Sequence, residues 1–317
     1  MEKVILKTVD KVEILTLQDN YIDITAMDNN AVVTRAMPIK DGQIKVSIGA
    51  EHGFSAIVKA TTGDQTKTLL FDFGFSADGA AHNAAALDVD MTQVEAVVLS
   101  HGHSDHTGGM EKLAAMIGRK NVPLIVHPGV FQSPRYMKFS EEFKIYFPEF
   151  TREMVSKAGL NIMETKEPFL LLGNNCLFLG EVPKRSDFEK GIPMAHFLEG
   201  GVEKHDAIAD DTSIVMHLKG KGLVILSGCA HAGIINTVTY AREITGIDKI
   251  HAIMGGFHLS GPLFEPIADR TIAELKKMAP RYIIPVHCTG RKAIINMEKE
   301  MPEQFILNMS GTKLTFA

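Results

Sequence analysis

Residues 100–109 read Ser-His-Gly-His-Ser-Asp-His-Thr-Gly-Gly and bring four side chains of metal-binding type into one short loop, His101, His103, Asp105 and His106. Two histidines spaced two residues apart in an extended segment can direct their imidazoles to one ion. Asp105 and His106 lie past the bend, where they can serve a second ion. A pair of divalent ions can share a water molecule and lower its pKa towards neutrality. The loop therefore predicts a dinuclear metal centre, with Asp105 as its candidate catalytic carboxylate.

This loop lies between a predicted strand and a predicted helix, and similar apolar runs occur elsewhere in the chain. Aliphatic runs bounded by Gly, Pro or Ser are typical of buried strands, and here they span 67–74, 95–103, 123–128, 222–231, 249–258 and 282–290. Helix-like stretches lie at 107–117, 234–245 and 266–278. Alternating strands and helices predict an α/β layered fold, whose chemistry collects at the carboxyl ends of the strands. The strands VVLSHGH and VILSGCAH are alike, which favours an internally duplicated sandwich.

The composition favours a folded protein without a nucleic-acid or membrane partner. The chain has 317 residues, 45% of them hydrophobic, and a net charge of −5, so it has material for a large core and no excess of positive charge. No apolar run is long enough for a membrane span, and no signal peptide is visible. The three cysteines are too few for a disulfide framework. We expect one cytoplasmic domain over residues 1–317 that acts on a small molecule, with its oligomeric state left open.

Residues 128–200 differ from the rest of the chain, because they hold 11 of its 22 Phe and Tyr residues. One interpretation is a helix pair that packs these aromatic side chains into the core. The other is an inserted cap over the site, which supplies apolar walls and cations for an anionic aromatic substrate. The basic residues that could then contact a substrate phosphate are Arg135, Lys184 and Arg185.

The His-x-His-x-Asp-His pattern after a buried strand resembles the signature of the metallo-β-lactamase superfamily. The resemblance covers about residues 45–290 and implies an αββα four-layer sandwich with a dinuclear site, usually zinc, at one edge. The FDFG segment is similar to the superfamily's first motif, which implies that Asp72 orients metal ligands. The PVHCTG segment is similar to the last motif, which implies that His287 is a ligand of the second ion.

The sequence departs from the superfamily pattern at Cys229. Many relatives have Ser-Gly-Asp where this chain has Ser-Gly-Cys, and their Asp bridges both metals. Cys229 is either a thiolate ligand or a small buried residue. His231 is then the predicted remaining histidine of the first site, and Asp211 is a fallback ligand. Without a bridging carboxylate, the second site is expected to be weaker or differently shaped.

Five local motifs are more specific than the metal signature. They are QDNY at 18–21, EHGFS at 51–55, GEVPKRSDFE at 180–189, SGCAHAGIINT at 227–237 and GGFHL at 255–259. Together they resemble the superfamily's 7,8-dihydropterin-6-methyl-4-(β-D-ribofuranosyl)-aminobenzene-5′-phosphate synthase-like subgroup, which is named for an activity of methanopterin biosynthesis. This resemblance implies that pterin rings stack on aromatic side chains of the cap.

Three further histidines have more than one interpretation. His258 follows two glycines and is either a metal ligand, a substrate contact or a structural residue. His52 and His127 are predicted to bind substrate or to orient ligands.

The site and the resemblance together predict a metal-dependent hydrolase or transferase that acts on a small phosphorylated or pterin-like substrate. Two divalent ions are expected, and zinc suits the imidazole-rich ligands, although manganese or iron would also be accommodated. Two alternatives stay open. One is a generic metallo-hydrolase of lactones, thioesters or phosphodiesters. The other is a non-catalytic protein that binds or senses a ligand through a weakened metal site.

Overall fold

Two β-sheets packed face to face form the centre of the protein, of which the computed structural model describes residues 3–37, 39–44 and 46–317. In the first sheet the four strands at one side run parallel and the others are antiparallel. Its strands, in spatial order, are Leu160–Glu164, Val122–Val126, Val94–Val98, Gln65–Phe71, Ser55–Thr62, Lys11–Gln18, Lys313–Phe316 and Val33–Thr34.

The second sheet ends in three neighbouring parallel strands, Gly222–Ser227, Ile250–Gly256 and Tyr282–Val286. Its full spatial order is Phe169–Leu171, Cys176–Phe178, Ser213–Leu218, Gly222–Ser227, Ile250–Gly256 and Tyr282–Val286, and Thr8–Val9 pairs with Ser213–Leu218. A separate two-stranded ribbon joins Ile39–Lys40 to Gln43–Ile44.

Side-chain alternation along the strands builds three apolar layers. In the first sheet Val98 packs into the core between the sheets, whereas Val97 faces the helices outside. In the second sheet Val224 and Leu226 enter the same central core, and Ile225 faces outward. Successive side chains of a strand point to opposite faces, so both faces of these two strands are buried at the residues named.

Helices cover the outer face of each sheet and complete the αββα sandwich, as predicted. Those beside the first sheet are Gly79–Ala86, Met110–Ile117 and Arg152–Lys157, and those beside the second are Ile234–Thr245, Ala268–Met278 and Arg291–Glu300. Ala268–Met278 buries Ala268, Thr271, Ile272 and Leu275, the spacing of one helical face. Of the helices that the structure describes, none is long and apolar enough to cross a membrane.

The six predicted strands are all present, and each ends before its predicted limit. The last residues of each apolar run leave the ladder and form the loops at the carboxyl end. The helix Ile234–Thr245 has its predicted bounds. The helix predicted at 107–117 begins only at Met110, because Ser104–Thr107 forms a separate turn before two glycines.

The helix-pair interpretation of residues 128–200 is wrong. Parts of this segment form a small antiparallel sheet, whose strands in order are Lys144–Tyr146, Arg135–Lys138, Ala195–Glu199 and Val202–His205. The middle of the segment instead supplies strands to both main sheets, so 128–200 is not one continuous insertion. The aromatic side chains divide accordingly, with Tyr136 and Phe178 buried and Phe143 about half exposed. A substrate-covering role for the small sheet stays a prediction.

Candidate metal centre

The predicted ligands converge because they follow strand ends at the same edge of the sandwich. The loop of His101 and His103 leaves the strand Val94–Val98, and the residue between them must be glycine. A Cβ atom at Gly102 would lie 2.4 Å from the carbonyl oxygen of Val130. The carboxyl ends of parallel strands collect functional groups in this way in open α/β folds.

The first ligand group consists of three imidazoles from two loops. His101 Nε2 lies 3.1 Å from His103 Nδ1 and 3.2 Å from His231 Nε2. Tetrahedral zinc with nitrogen ligands has ligand–ligand edges of about 3.3 Å, so the spacing of His101 to each of the other two rings is that of ligands on one ion. Burial lowers the pKa of His101 and His231 well below the usual range and that of His103 to about 4. The rings are therefore neutral near pH 7, which is the form that binds metal.

The second ligand group contains Asp105, His106, Cys229 and His287, whose ligand atoms all lie within 4.8 Å of one another. Asp105 Oδ2 is 3.0 Å from His287 Nε2, and His106 Nε2 is 3.1 Å from Cys229 Sγ. Burial opposes the ionised form of Asp105, but the charge of His106 and hydrogen bonds from His287 and His52 lower its pKa well below the usual range. A carboxylate among imidazoles suits a divalent cation.

Cys229 lies between the two groups. Its sulfur is within 4.8 Å of the ligand atoms of His101 and His231 as well as those of the second group. Its side chain is buried. The sequence left a thiolate ligand and a small buried residue open, and the geometry places the sulfur where a ligand could serve both groups.

Asp72 holds the rings of the centre in place. Its carboxylate accepts hydrogen bonds from His106 Nδ1 at 2.7 Å and from the backbone N–H and hydroxyl of Ser100 at 2.6 and 2.7 Å. Burial disfavours protonation of His106, but the carboxylates of Asp105 and Asp72 raise its pKa to about 9. The position therefore favours positive charge, which a metal cation also supplies. Such outer hydrogen bonds fix the tautomer and orientation of a ligating imidazole.

The QDNY and EHGFS motifs position His287. The carboxylate of Asp19 accepts a hydrogen bond from the backbone N–H of His287 at 2.9 Å, and Asn20 donates its side-chain amide to the carbonyl of His287 at 3.1 Å. The backbone N–H of Gly53 lies 3.2 Å from His287 Nδ1. These roles were not predicted from the sequence, although the QDNY and EHGFS motifs had marked both segments as distinctive.

The GEVPKRSDFE and SGCAHAGIINT motifs also meet. The two carboxylate oxygens of Glu189 accept the backbone N–H groups of Ile235 and Asn236, at 2.9 and 3.0 Å. These are donors of the first turn of the helix Ile234–Thr245, which begins directly after the loop of Cys229 and His231. Glu189 therefore anchors the helix that follows two candidate ligands.

Replacing Glu189 is expected to change the pH dependence of stability. Burial raises the pKa of Glu189 from 4.5 to about 7, against the two hydrogen bonds it accepts. A raised folded-state pKa gives stability that is complete below about pH 4.5 and is lost as the pH rises through about 7, by up to about 3 kcal/mol. Glu189→Gln should lack this loss when urea denaturation is compared at about pH 5 and about pH 8. The control is Glu243→Gln at an exposed site, and equal pH slopes in the native and Glu189→Gln proteins would contradict the expectation.

The other predicted site residues differ in their distance from the centre. His52 is largely exposed and its Nε2 lies 3.5 Å from Asp105 Oδ2, and the hydrogen bond with Asp105 raises its pKa. His258 packs on His231 with ring centroids 4.4 Å apart. Asp211 belongs to none of the ligand groups formed by the described residues, and it accepts the backbone N–H of Ala232 at 2.9 Å. Asp211 thus supports the loop of His231, which does not favour its fallback role as a ligand.

The predicted phosphate contacts need correction. Arg135 is buried between Asp206 and Asp210, at 2.8 and 2.6 Å, so its charge is already compensated. Arg185 pairs with Glu243 at the surface. Neither arginine lines the cavity at the metal centre, so the structure does not support their contact with substrate.

Two more of the predicted substrate contacts are engaged elsewhere. Lys184 donates to the carbonyl of Ala207 at 2.5 Å. His127 is buried, accepts the backbone N–H of Gly129 at 3.0 Å and has its Nε2 3.6 Å from Glu181. Neither of them lines the cavity at the metal centre.

A cavity of about 760 Å³ opens at the metal centre. Its walls include Phe75, Tyr146, Phe147 and Phe264, together with ligand candidates of both groups. The ring of Phe147 lies 5.0 Å from that of His103. Cavities of this size and apolar lining are typical of small-molecule sites.

Three further residues of this region were not predicted from the sequence. Cys288 lies in the cavity wall beside Cys229, and its signal was its place directly after His287. Arg291 lines the same wall at the start of the helix Arg291–Glu300. Asp210 accepts the N–H of Gly102 at 2.8 Å and so links Arg135 to the metal loop.

The comparisons with known proteins agree with this architecture. The family model described as the metallo-β-lactamase superfamily matches residues 49–147. A solved structure described as a metal-dependent hydrolase of the β-lactamase superfamily aligns with a TM-score of 0.71 and 23% identity, over 96% of this chain and 98% of its own. The chain belongs to the metallo-β-lactamase superfamily.

Within the superfamily, the chain is similar to two proteins of Methanocaldococcus jannaschii. One is named 7,8-dihydropterin-6-methyl-4-(β-D-ribofuranosyl)-aminobenzene-5′-phosphate synthase and is 31% identical over 84% of this chain and 90% of its own length. The other is an uncharacterized protein, 32% identical over 79% of this chain and 88% of its own length. The fold and the name of the first relative indicate an enzyme.

Proposed function

We propose that the protein is a metal-dependent enzyme with a dinuclear, zinc-type centre that acts on a small phosphorylated or pterin-like substrate. The main support for this proposal is that residues of both ligand groups line one cavity of about 760 Å³, which also has aromatic walls. The similarity to a relative named as a dihydropterin-related synthase supports the substrate class. The cytoplasm stays the expected location.

In this proposal some residues would hold the metal ions and others would bind the substrate. His101, with His103 and His231 at 3.1 and 3.2 Å from it, would hold one ion. Asp105, His106 and His287 would hold a second, with Cys229 between the two groups. When bound, divalent ions in such a centre supply Lewis acidity and an activated water. Phe147 and Tyr146 offer ring faces on which a flat heterocycle can stack.

A substrate phosphate would contact Arg291. Of the described residues that line the cavity, this is the one lysine or arginine, and it is exposed. Guanidinium groups bind phosphate through paired hydrogen bonds. Its neighbour Lys292 pairs with Glu265 at 2.7 Å and does not line this cavity, which makes it a matched control.

The test is binding and turnover with a reduced pterin and its phosphorylated analogue. Arg291→Ala should weaken binding of the phosphorylated compound by about tenfold, the usual loss of one charge-assisted contact, and leave the unphosphorylated compound unchanged. Lys292→Ala should change neither. Turnover of simple lactones, thioesters or phosphodiesters without pterin binding would favour the generic hydrolase instead. Ligand binding without turnover of any substrate by the metal-loaded protein would favour the sensing protein.

A further inference from the structure

Two cysteine sulfurs and one imidazole nitrogen converge beside the two ligand groups described above. The sulfurs of Cys229 and Cys288 and a ring nitrogen of His258 all lie within 4.8 Å of one another. Both cysteines are buried and free. This cluster contains Cys288, which neither ligand group of the proposed dinuclear centre uses.

The convergence follows from the topology of the second sheet. The strands Gly222–Ser227, Ile250–Gly256 and Tyr282–Val286 are parallel neighbours, with Ser227 opposite Gly255 and Gly256 opposite Val286. Each of the three ligands lies two residues past the end of its strand. The chain leaves three adjacent strands at the same edge of the sheet, and each of the following loops therefore contributes one ligand there.

The backbone at these exits is bent in the same way. Ala230, His258 and His287 have φ values of 48°, 48° and 47°, in the left-handed region that non-glycine residues seldom adopt. Such conformations cost free energy and persist where the surrounding structure holds them, most often at functional sites. Here they lie beside Cys229, at His258 itself and beside Cys288.

The packing leaves room for the sulfur of Cys288 and leaves one nitrogen of His258 without a hydrogen-bond partner. A Cβ atom at Gly256 would lie 2.5 Å from Cys288 Sγ, so glycine is required where the sulfur passes. His258 Nδ1 is buried and has no hydrogen-bond partner among the described atoms. The ring of His258 thus has one buried nitrogen without a partner, and a ligand atom of the same ring lies within 4.8 Å of both sulfurs. A buried polar atom left unpaired is consistent with a site for a bound ion.

We propose that Cys229, His258 and Cys288 bind a zinc ion of their own, with the Cys229 thiolate shared with the neighbouring dinuclear centre. Two thiolates balance the charge of the ion, and tetrahedral zinc–sulfur geometry needs a sulfur–sulfur edge of about 3.8 Å, within the observed spacing. All three residues line the 760 Å³ cavity. A fourth ligand to the ion would therefore come from the cavity, as in catalytic rather than structural zinc sites.

The test is the zinc content of the whole protein after saturation with Zn²⁺ under a phosphine reductant and removal of the excess by gel filtration. Cys288→Ser should lose about one zinc ion per chain, and His258→Gln should lose the same ion. Cys176→Ser is the matched control, because Cys176 is buried in the strand Cys176–Phe178 and belongs to no ligand group of the described residues. A second readout is the near-ultraviolet thiolate-to-metal absorption of the Co²⁺-loaded protein, which should fall in Cys288→Ser and stay unchanged in Cys176→Ser.

The inference of this third zinc site can fail while the proposed dinuclear centre stands, and the reverse is also true. The His101→Ala/His103→Ala variant should lose a different ion, so its loss and that of Cys288→Ser should add when the changes are combined. Circular dichroism confirms that each variant is folded. Full zinc content and full thiolate absorption in folded Cys288→Ser, or in folded His258→Gln if Cys288→Ser does not fold, would overturn the inference.

Discussion

The His101→Ala/His103→Ala variant is expected to carry about one metal ion per chain less than the native protein, when both are purified without chelator. The double change removes two of the three imidazoles whose nitrogens lie 3.1 and 3.2 Å apart. His231 alone is a weak ligand. Because loss of a single outer hydrogen bond typically costs 10–100-fold in metal affinity or activity, loss of two ligands should exceed about 100-fold.

Plasma mass spectrometry of the two proteins measures this difference. The matched control is His82→Ala/His217→Ala, which removes two histidines that belong to none of the ligand groups in the described part of the chain. It should keep the native metal content. If the His101→Ala/His103→Ala protein retains as much metal as the native protein, the first ligand group is not a metal site and the proposed enzyme loses its basis.

The Arg135→Ala variant is expected to be less stable than the native protein by about 3–5 kcal/mol, the usual cost of breaking a buried ion pair. Its guanidinium lies between Asp206 and Asp210, all three side chains being nearly inaccessible to solvent. Burial would raise the pKa of Asp210, but the charge of Arg135 lowers it to about 2. Without the arginine, the two buried carboxylates lose the cation that pairs directly with both of them.

The destabilisation caused by Arg135→Ala is expected to change with pH in a definite direction. A lowered pKa means that Asp210 contributes stability above its unfolded pKa of 3.8, which is lost as the pH falls through about 2. In Arg135→Ala the buried carboxylate should take up a proton more readily, so the loss of stability should be smaller at about pH 5 than at about pH 8.

Urea denaturation at both pH values measures the free energy of unfolding. Arg185→Ala is the control, because its ion pair with Glu243 is about half exposed and should contribute no more than about 1 kcal/mol. If Arg135→Ala leaves the free energy of unfolding nearly unchanged and weakens the binding of phosphorylated ligands, Arg135 is a substrate contact after all.

The local chemistry and the fold class followed from the sequence. The spacing of the His101–His106 loop, the apolar runs that precede each ligand and the helix Ile234–Thr245 depend on neighbours within about ten residues. Period-two and period-3.6 patterns report such local structure directly. For the same reason the departure at Cys229 was visible without coordinates.

The tertiary structure decided what each charged or polar side chain contacts. Arg135 meets Asp210 across 75 residues, and Asp19 meets His287 across 268 residues. The sequence offered Arg135 as a free cation because its partners lie on a distant loop, and it offered no reason to join Cys288 to Cys229 and His258. These pairings depend on which strands become neighbours in the sheet, and strand order is set by burial of the whole core.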